Sequence, residues 1–175
     1  MIKIINNFFD EKDLKFIQNF ALTKAFYTPC FFTNSPKKSK EYHYGNRFHL
    51  ALNKKIKNFL INQAELKFNL KNIKITDDSG IDQRNLDNFK PHTDVKYGAL
   101  LNVLIMISGP KALTNGTVFY SKNKNTKEVE LDIHVGFREN RAILFPSDWW
   151  HSNHASNIPN LKRYTSSLFI KYYEE

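Results

Sequence analysis

Cysteine is nearly missing from this sequence. Cys30 stands alone among 175 residues, so no disulfide can close within the chain and a cysteine-rich zinc site is excluded. A buried, inert thiol is the expected role for it. No apolar run reaches the length of a membrane span; the longest, Leu100 to Ile107, is the size of a strand. The opening Met1-Ile-Lys-Ile-Ile-Asn lacks the apolar run and small-residue cleavage site of a signal peptide. A cytoplasmic protein is the expectation, and on that footing the glycosylation pattern at Asn115-Gly116-Thr117 is accidental. Internal repeats and low-complexity tracts are absent as well.

Acidic residues are the scarcer charge. Seventeen Asp and Glu face 26 Lys and Arg, for a net charge of +9 and a pI near 9.5, so an anionic partner such as nucleic acid has to be considered. The lysines, however, are spread along the chain among asparagines. The densest cluster, Lys37-Lys38-Ser39-Lys40, is short and lies in a Ser/Pro stretch. Dispersed lysine reads as a solvated face, so nucleic acid is possible and not favoured.

What is present suits a single domain over residues 1–175. Hydrophobic residues make up 41% of the chain and aromatics 14%, with 15 Phe and 8 Tyr, enough for a core of β character. Asp10 reads as a helix N-cap, followed by Leu14, Ile17 and Ala21 at helical spacing, which predicts an amphipathic helix over residues 11–24. Residues 28–50 read as an irregular connection, with Tyr42, His43, Tyr44, Arg47 and His49 where a lid could sit. A second helix carries Leu52, Ile56, Phe59 and Leu60 on one face. Residues 1–65 are thus a helical support with a possible lid.

From about residue 66 the period changes to two, beginning with Leu66, Phe68 and Leu70. Strand candidates follow at 81–86, 99–107, 117–121, 128–134, 141–146 and 163–172, separated by turn formers such as Ser108-Gly109-Pro110 and Asn115-Gly116. Many short strands at regular spacing suit a jelly roll over residues 66–175. The fold class expected is mainly β with flanking helices (α+β), the N-terminal helices covering the jelly roll.

Three places carry chemistry. In Pro91-His92-Thr93-Asp94 the residues at i and i+2 of an extended segment point the same way, so His92 and Asp94 can converge on one ion. Residues 141–151, Arg-Ala-Ile-Leu-Phe-Pro-Ser-Asp-Trp-Trp-His, read as a buried strand ending in His151, 59 positions after His92. Two neutral imidazoles and one carboxylate on one face of an octahedron form the ligand set of non-haem iron(II) oxygenases. Finally, Arg163 opens a strand on which Thr165 and Ser167 share its face, a polar lining that asks for an anion.

With these pieces, Gly116-Thr117-Val118-Phe119-Tyr120 and Asn140-Arg141-Ala142-Ile143-Leu144-Phe145-Pro146 complete a pattern. From about Phe89 to Tyr172 the chain resembles the catalytic core of the Fe(II)/2-oxoglutarate-dependent oxygenases, nearest to their prolyl-hydroxylase-like branch. The resemblance implies a double-stranded β-helix, with Fe(II) held by His92, Asp94 and a distal histidine, and with Arg163 gripping the cosubstrate 2-oxoglutarate. It implies a dioxygenase that consumes O2 and releases succinate and CO2. Related halogenases replace the carboxylate ligand with a small residue, so Asp94 implies hydroxylation or oxidative demethylation.

His151 and His154 both qualify as the distal histidine, 12 and 9 positions before Arg163. His151 is expected, because Ile143, Phe145, Ser147, Trp149 and His151 would share one face of a regular strand, whereas His154 leads into a turn-like Asn157-Ile158-Pro159-Asn160. His154 would then stand behind the ligands or face the substrate. Trp149 and Trp150 read as framework, and Asn102 either meets the cosubstrate or is a satisfied core amide. A small-molecule or peptidyl substrate fits. A metal-free jelly-roll binding module, or a cupin-type metalloenzyme with another reaction, are the other readings; cupins generally show His-x-His with a later Glu.

Overall fold

A computed structural model describes residues 1–33, 41–85, 91–111, 115–122, 128–154 and 162–175, without the side chains of 31–33, 41–44 and 85. The chain begins with strand β1 (Lys3–Asn6) and helix α1 (Glu11–Asn19). Asp10 caps α1 by accepting the Asp13 backbone N–H at 2.8 Å, which satisfies one of the amides that a helix start leaves without a partner. The expected helix over 11–24 does not stay α-helical. At Phe20–Lys24 it widens into a π turn, closed by Ala25 N–H on the Phe20 carbonyl at 2.9 Å, and Phe20 and Ala21 stay buried.

The stretch expected to be irregular is instead a hairpin of β2 (Thr28–Thr33) and β3 (Glu41–His49), paired antiparallel from Thr28↔Arg47 to Thr33↔Glu41. The proposed lid residues Tyr42 to His49 are therefore ladder residues, while Lys37 to Lys40 lie outside the described residues. Cys30 sits in β2, partly exposed rather than buried.

Helix α2 (Lys54–Phe68) also departs from expectation at its end. Leu66 and Phe68 were placed in a strand, yet both are helical, with Phe68 buried and Leu66 exposed. Ile56, Leu60, Ala64 and Phe68 form one buried stripe at a spacing of four. Asn69, left-handed at φ 56°, ends the helix by donating its N–H to the Glu65 carbonyl, a conformation asparagine tolerates. Strand β4 (Lys71–Ile75) starts only after it.

The remaining strands are β5 (Gly80–Asn85), β6 (Leu101–Ser108), β7 (Gly116–Lys122), β8 (Val129–Gly136), β9 (Arg141–Pro146), β10 (Trp150–His154) and β11 (Lys162–Glu174). They form an eight-stranded sheet in the order β1-β9-β6-β11-β5-β3-β2, with β4 also on β11, and a three-stranded sheet β10-β7-β8. Alternation along β6 separates two cores. Val103, Ile105 and Ile107 face the helices and join Phe8, Phe9, Ile17, Leu60 and Phe68. Met106, with Ile143 and Phe145 of β9, faces the smaller sheet and joins Phe119 and Val135. The two sheets meet at Phe119–Phe145, ring centroids 4.9 Å apart. This is the mainly β, helix-covered jelly roll that the strand pattern led us to expect. Among the described residues, no helix is long and apolar enough to cross a membrane.

Candidate metal centre

The residues between Pro146 and His151 are where the strand expected over 141–151 breaks. Trp149 N–H closes a turn on the Pro146 carbonyl at 3.2 Å, so β9 belongs to the large sheet and β10 to the small one. Proline and the Ser-Asp pair after it are turn formers, and they override the continuity on which the shared-face argument for His151 relied. His151 reaches the site from the second sheet. It stands opposite Phe119 in the β10–β7 ladder, so its ring turns inward beside the Phe119 and Phe145 rings, with centroids 6.1 and 4.9 Å away.

His92 comes from the other side. Its backbone exchanges two hydrogen bonds with His151, N–H to carbonyl in both directions at 2.9 Å. Two residues on, Asp94 N–H donates to the Ser147 carbonyl at 2.8 Å. The short His92–Asp94 segment is thus tied to the β9–β10 turn and to β10 itself. One ligand atom each from His92, Asp94 and His151 lie within 4.8 Å of one another. His151 Nε2 is 3.2 Å from Asp94 Oδ2, and His92 Nε2 is 3.7 Å from Asp94 Oδ1. Asp94 and His151 are buried, whereas the His92 side chain is 30% exposed and marks the open side.

The donor set can be tested against a cation. His151 Nδ1 lies 2.9 Å from the Trp149 carbonyl. A carbonyl only accepts, so Nδ1 carries the proton and Nε2 presents a lone pair. That lone pair faces a carboxylate oxygen at 3.2 Å. Two acceptors so close need a proton or a cation between them, and the same backbone anchor that sets the tautomer is the usual support of a metal-ligating imidazole. Asn102 Nδ2 donates to Asp94 Oδ2 at 2.7 Å. Burial alone would raise the Asp94 carboxyl; when a proton sits on the His151 side of the pair, its hydrogen bond and charge, then His92 and Asn102, outweigh burial and hold the group below its ordinary range. A carboxylate, two imidazoles and one open side suit a divalent first-row metal.

Arg163, Thr165 and Ser167 share the inner face of β11, as alternation predicts, and all three are buried. Arg163 Nη1 donates to the Gly116 carbonyl at 3.0 Å and to Asn115 Oδ1 at 3.3 Å, while its buried Nε has no hydrogen-bond partner. Burial, then the Arg84 charge, lowers its pKa to about 10 against a smaller pull from Asp82, so it remains a cation at neutral pH. Among the described residues no carboxylate stands within ion-pair distance of it, which leaves a buried positive charge looking for an anion.

No family model and no curated protein matches this sequence. Solved structures do match. The non-haem α-ketoglutarate-dependent epimerase SnoN from nogalamycin biosynthesis aligns with a TM-score of 0.65 at 10% identity, over 97% of this chain and 78% of that one. A prolyl hydroxylase from Trichoplax adhaerens, in complex with a hypoxia-inducible-factor oxygen degradation domain peptide, gives 0.65 at 16% identity, over 97% and 82%. An oxidoreductase of the 2OG-Fe(II) oxygenase family from Burkholderia pseudomallei gives 0.60 at 11%, over 97% and 84%. The fold is that of the Fe(II)/2-oxoglutarate oxygenases.

Within this oxygenase fold the other singled-out residues fall as follows. His154 points to the opposite side of β10 from His151 and packs its ring on His134, centroids 5.6 Å apart, so it neither backs the ligands nor faces the site. Trp149 packs on Phe119 with the inter-sheet core, and Trp150 lies under Lys122. Asn102 donates Nδ2 to Asp94 Oδ2, and with its own Oδ1 buried and lacking a hydrogen-bond partner it is not a fully satisfied core amide. Sequence reasoning missed Asp82 and Arg84 altogether and left Arg47 in a loop. Charged residues two apart on β5, on either side of Gln83, were the available signal.

Proposed function

We propose that this chain is an Fe(II)- and 2-oxoglutarate-dependent dioxygenase that hydroxylates, or oxidatively demethylates, a small-molecule or peptidyl substrate. The observation that carries this reading is the convergence of His151 Nε2 and Asp94 Oδ2, 3.2 Å apart, joined by His92 and set inside the same barrel as a buried arginine with no carboxylate at ion-pair distance among the described residues. His92, Asp94 and His151 would hold the metal, and Arg163 the far carboxylate of 2-oxoglutarate. When bound, iron with 2-oxoglutarate and O2 supplies the oxidising power, the oxo acid leaving as succinate and CO2.

The chain's own residues do the rest. Trp149's carbonyl keeps the His151 proton on Nδ1, and Asn102 keeps one Asp94 oxygen turned away from free rotation. Phe119 and Phe145 wall the inner side with apolar rings, which excludes water and strengthens each electrostatic contact there. Among the described residues, the partly exposed side chain of His92 marks the open side of these three ligands, away from those rings. The prolyl hydroxylase of the same fold is complexed with a peptide, and the epimerase with nogalamycin RO, so both substrate sizes are compatible with the architecture.

The test is Fe(II)-dependent turnover of 2-oxoglutarate. Protein reconstituted anaerobically with Fe(II) should release succinate once O2 is admitted, slowly without substrate and faster when a substrate from a screen of amino acids, peptides and methylated bases is added. Succinate release that is absent with Fe(II) under every condition would favour the metal-free binding module.

A further inference from the structure

Asp94 opens a single 3-10 turn, Val95–Tyr97, that leads from the metal site to β6. Its own backbone stands at φ −99° and ψ 7°, in the sparsely populated region between helix and strand, where a residue stays only when its surroundings fix it. Its N–H donates to the Ser147 carbonyl at 2.8 Å, and its carbonyl accepts the Tyr97 N–H at 3.0 Å. Gly98 leaves the turn in the left-handed region at φ 67°, which glycine adopts without steric cost. Of the three side chains in the turn, Val95 is 52% exposed and Lys96 is exposed, whereas Tyr97 is half-buried. The Tyr97 ring stacks on Phe169, centroids 4.6 Å apart and planes at 26°. This stack ties the turn to the body of the sheet.

Phe169 is a fixed floor for it. Its N–H donates to Ser79 Oγ at 3.0 Å, its carbonyl accepts the Thr76 N–H at 2.9 Å, and its side chain is buried. In the ladder of β11 with β6, Phe169 stands opposite Asn102, and directly paired residues of antiparallel strands project from the same face. Asn102 is the residue that donates to Asp94 Oδ2. One cross-strand pair therefore supports Asp94 twice: Asn102 meets the carboxylate, and Phe169, through Tyr97, steadies the backbone. We infer that Tyr97 is a positioning residue for the metal, its ring on Phe169 keeping Asp94 in the conformation seen here before any ion arrives. The inference rests on the function proposed above. Its consequence follows from populations: a ligand segment that holds the binding conformation about one-tenth of the time binds about tenfold more weakly. The hold comes from the stacked ring, so phenylalanine should serve in place of tyrosine.

Two measurements on the full chain test this. In a calorimetric Mn(II) titration, Tyr97→Ala should bind about tenfold more weakly than the parent, and Tyr97→Phe should return to within about twofold of it. Amide hydrogen exchange in the metal-free parent should find the Asp94 and Tyr97 N–H groups protected. In Tyr97→Ala that protection should fall while the amides of β6 and β11 keep theirs, which shows that the variant is folded. A tyrosine with a merely structural role would lower the urea midpoint and leave Mn(II) affinity within about twofold of the parent; that result overturns the inference and leaves the proposed function intact. An Asp94 amide that exchanges freely in the metal-free parent overturns it as well, and this measurement needs no variant to fold. A parent that binds no Mn(II) removes the function and the role of Tyr97 together.

Discussion

At Asp94 two requirements meet. The carboxylate has to stay ionised although it is buried, and it has to present one oxygen in a fixed direction. Asn102 serves both through a single bond, donating Nδ2 to Oδ2 at 2.7 Å from the start of an apolar strand. Its own Oδ1 is buried without a partner, a cost of about 1–3 kcal/mol that a purely structural amide would not be expected to carry. Leucine has the same branched side-chain skeleton and would suit the neighbouring core. Asn102→Leu is therefore expected to fold at least as stably as the parent, yet to bind Mn(II) roughly 10–100-fold more weakly, the usual loss when a ligand's supporting hydrogen bond goes. Urea unfolding and metal titration on the same preparation check the two halves. Equal Mn(II) affinity would show that Asp94 needs no such support.

Between elements, the Arg47–Asp82 pair joins β3 to β5 from inside the barrel, and Arg47 adds a third bond to the Asp78 carbonyl at 2.9 Å. Asp82→Asn keeps the shape but leaves Arg47 buried without its counter-ion, which is expected to cost about 3–5 kcal/mol. The same pair has a pH signature. Burial would raise the Asp82 carboxyl from its ordinary 3.8, but the charges of Arg47 and Arg84 and their hydrogen bonds outweigh that and lower it. A carboxylate depressed on folding stabilises the native state above its unfolded value and loses that contribution as pH falls through the folded one. Urea midpoints should thus fall below pH 3.8 in the parent, with a shallower fall in Asp82→Asn; parallel curves would mean that the pair is not linked to folding. None of this was legible beforehand, because β2 and β3 show no apolar alternation: Thr28-Pro29-Cys30 and Glu41 to His49 hold no aliphatic side chain at a period of two. They are strands because β5 offers β3 a ladder and β3 in turn offers one to β2. Elsewhere one residue pair decided the misreading. Leu66 and Phe68 satisfy a period of two, but Phe68 equally continues the Leu60–Ala64 stripe of α2, and the helix prevails because Asn69 can turn left-handed after it.

For the molecule as a whole, the strands from β5 to β9 and β11 could be read because their two faces differ, in β6 and β9 between the helix-side core and the inter-sheet core, with Gly, Asn and Pro at the turns. The three candidate ligands could be read because His92-Thr93-Asp94 is local, and His151 because it follows Phe145-Pro146-Ser147 closely. The reasoning for His151 over His154 was nonetheless faulty at one step. It assumed a single strand through Pro146, whereas the histidine arrives on β10 after a change of sheet. That change of sheet is what lets one imidazole oppose His92 across the barrel mouth, while His154, three residues on, turns away to His134. The lysines behind the net charge of +9 are spread along the sequence, whereas Arg47 and Arg163 are buried inside the fold. The most direct measurement is a Mn(II) titration by calorimetry of the parent and four single variants. With His92, Asp94 and His151 as the ligands, the parent binds one ion per chain, His92→Ala, Asp94→Ala and His151→Ala each lose it, and His154→Ala keeps it. Binding that survives in His151→Ala and disappears in His154→Ala, or that persists in His92→Ala, would contradict the site described.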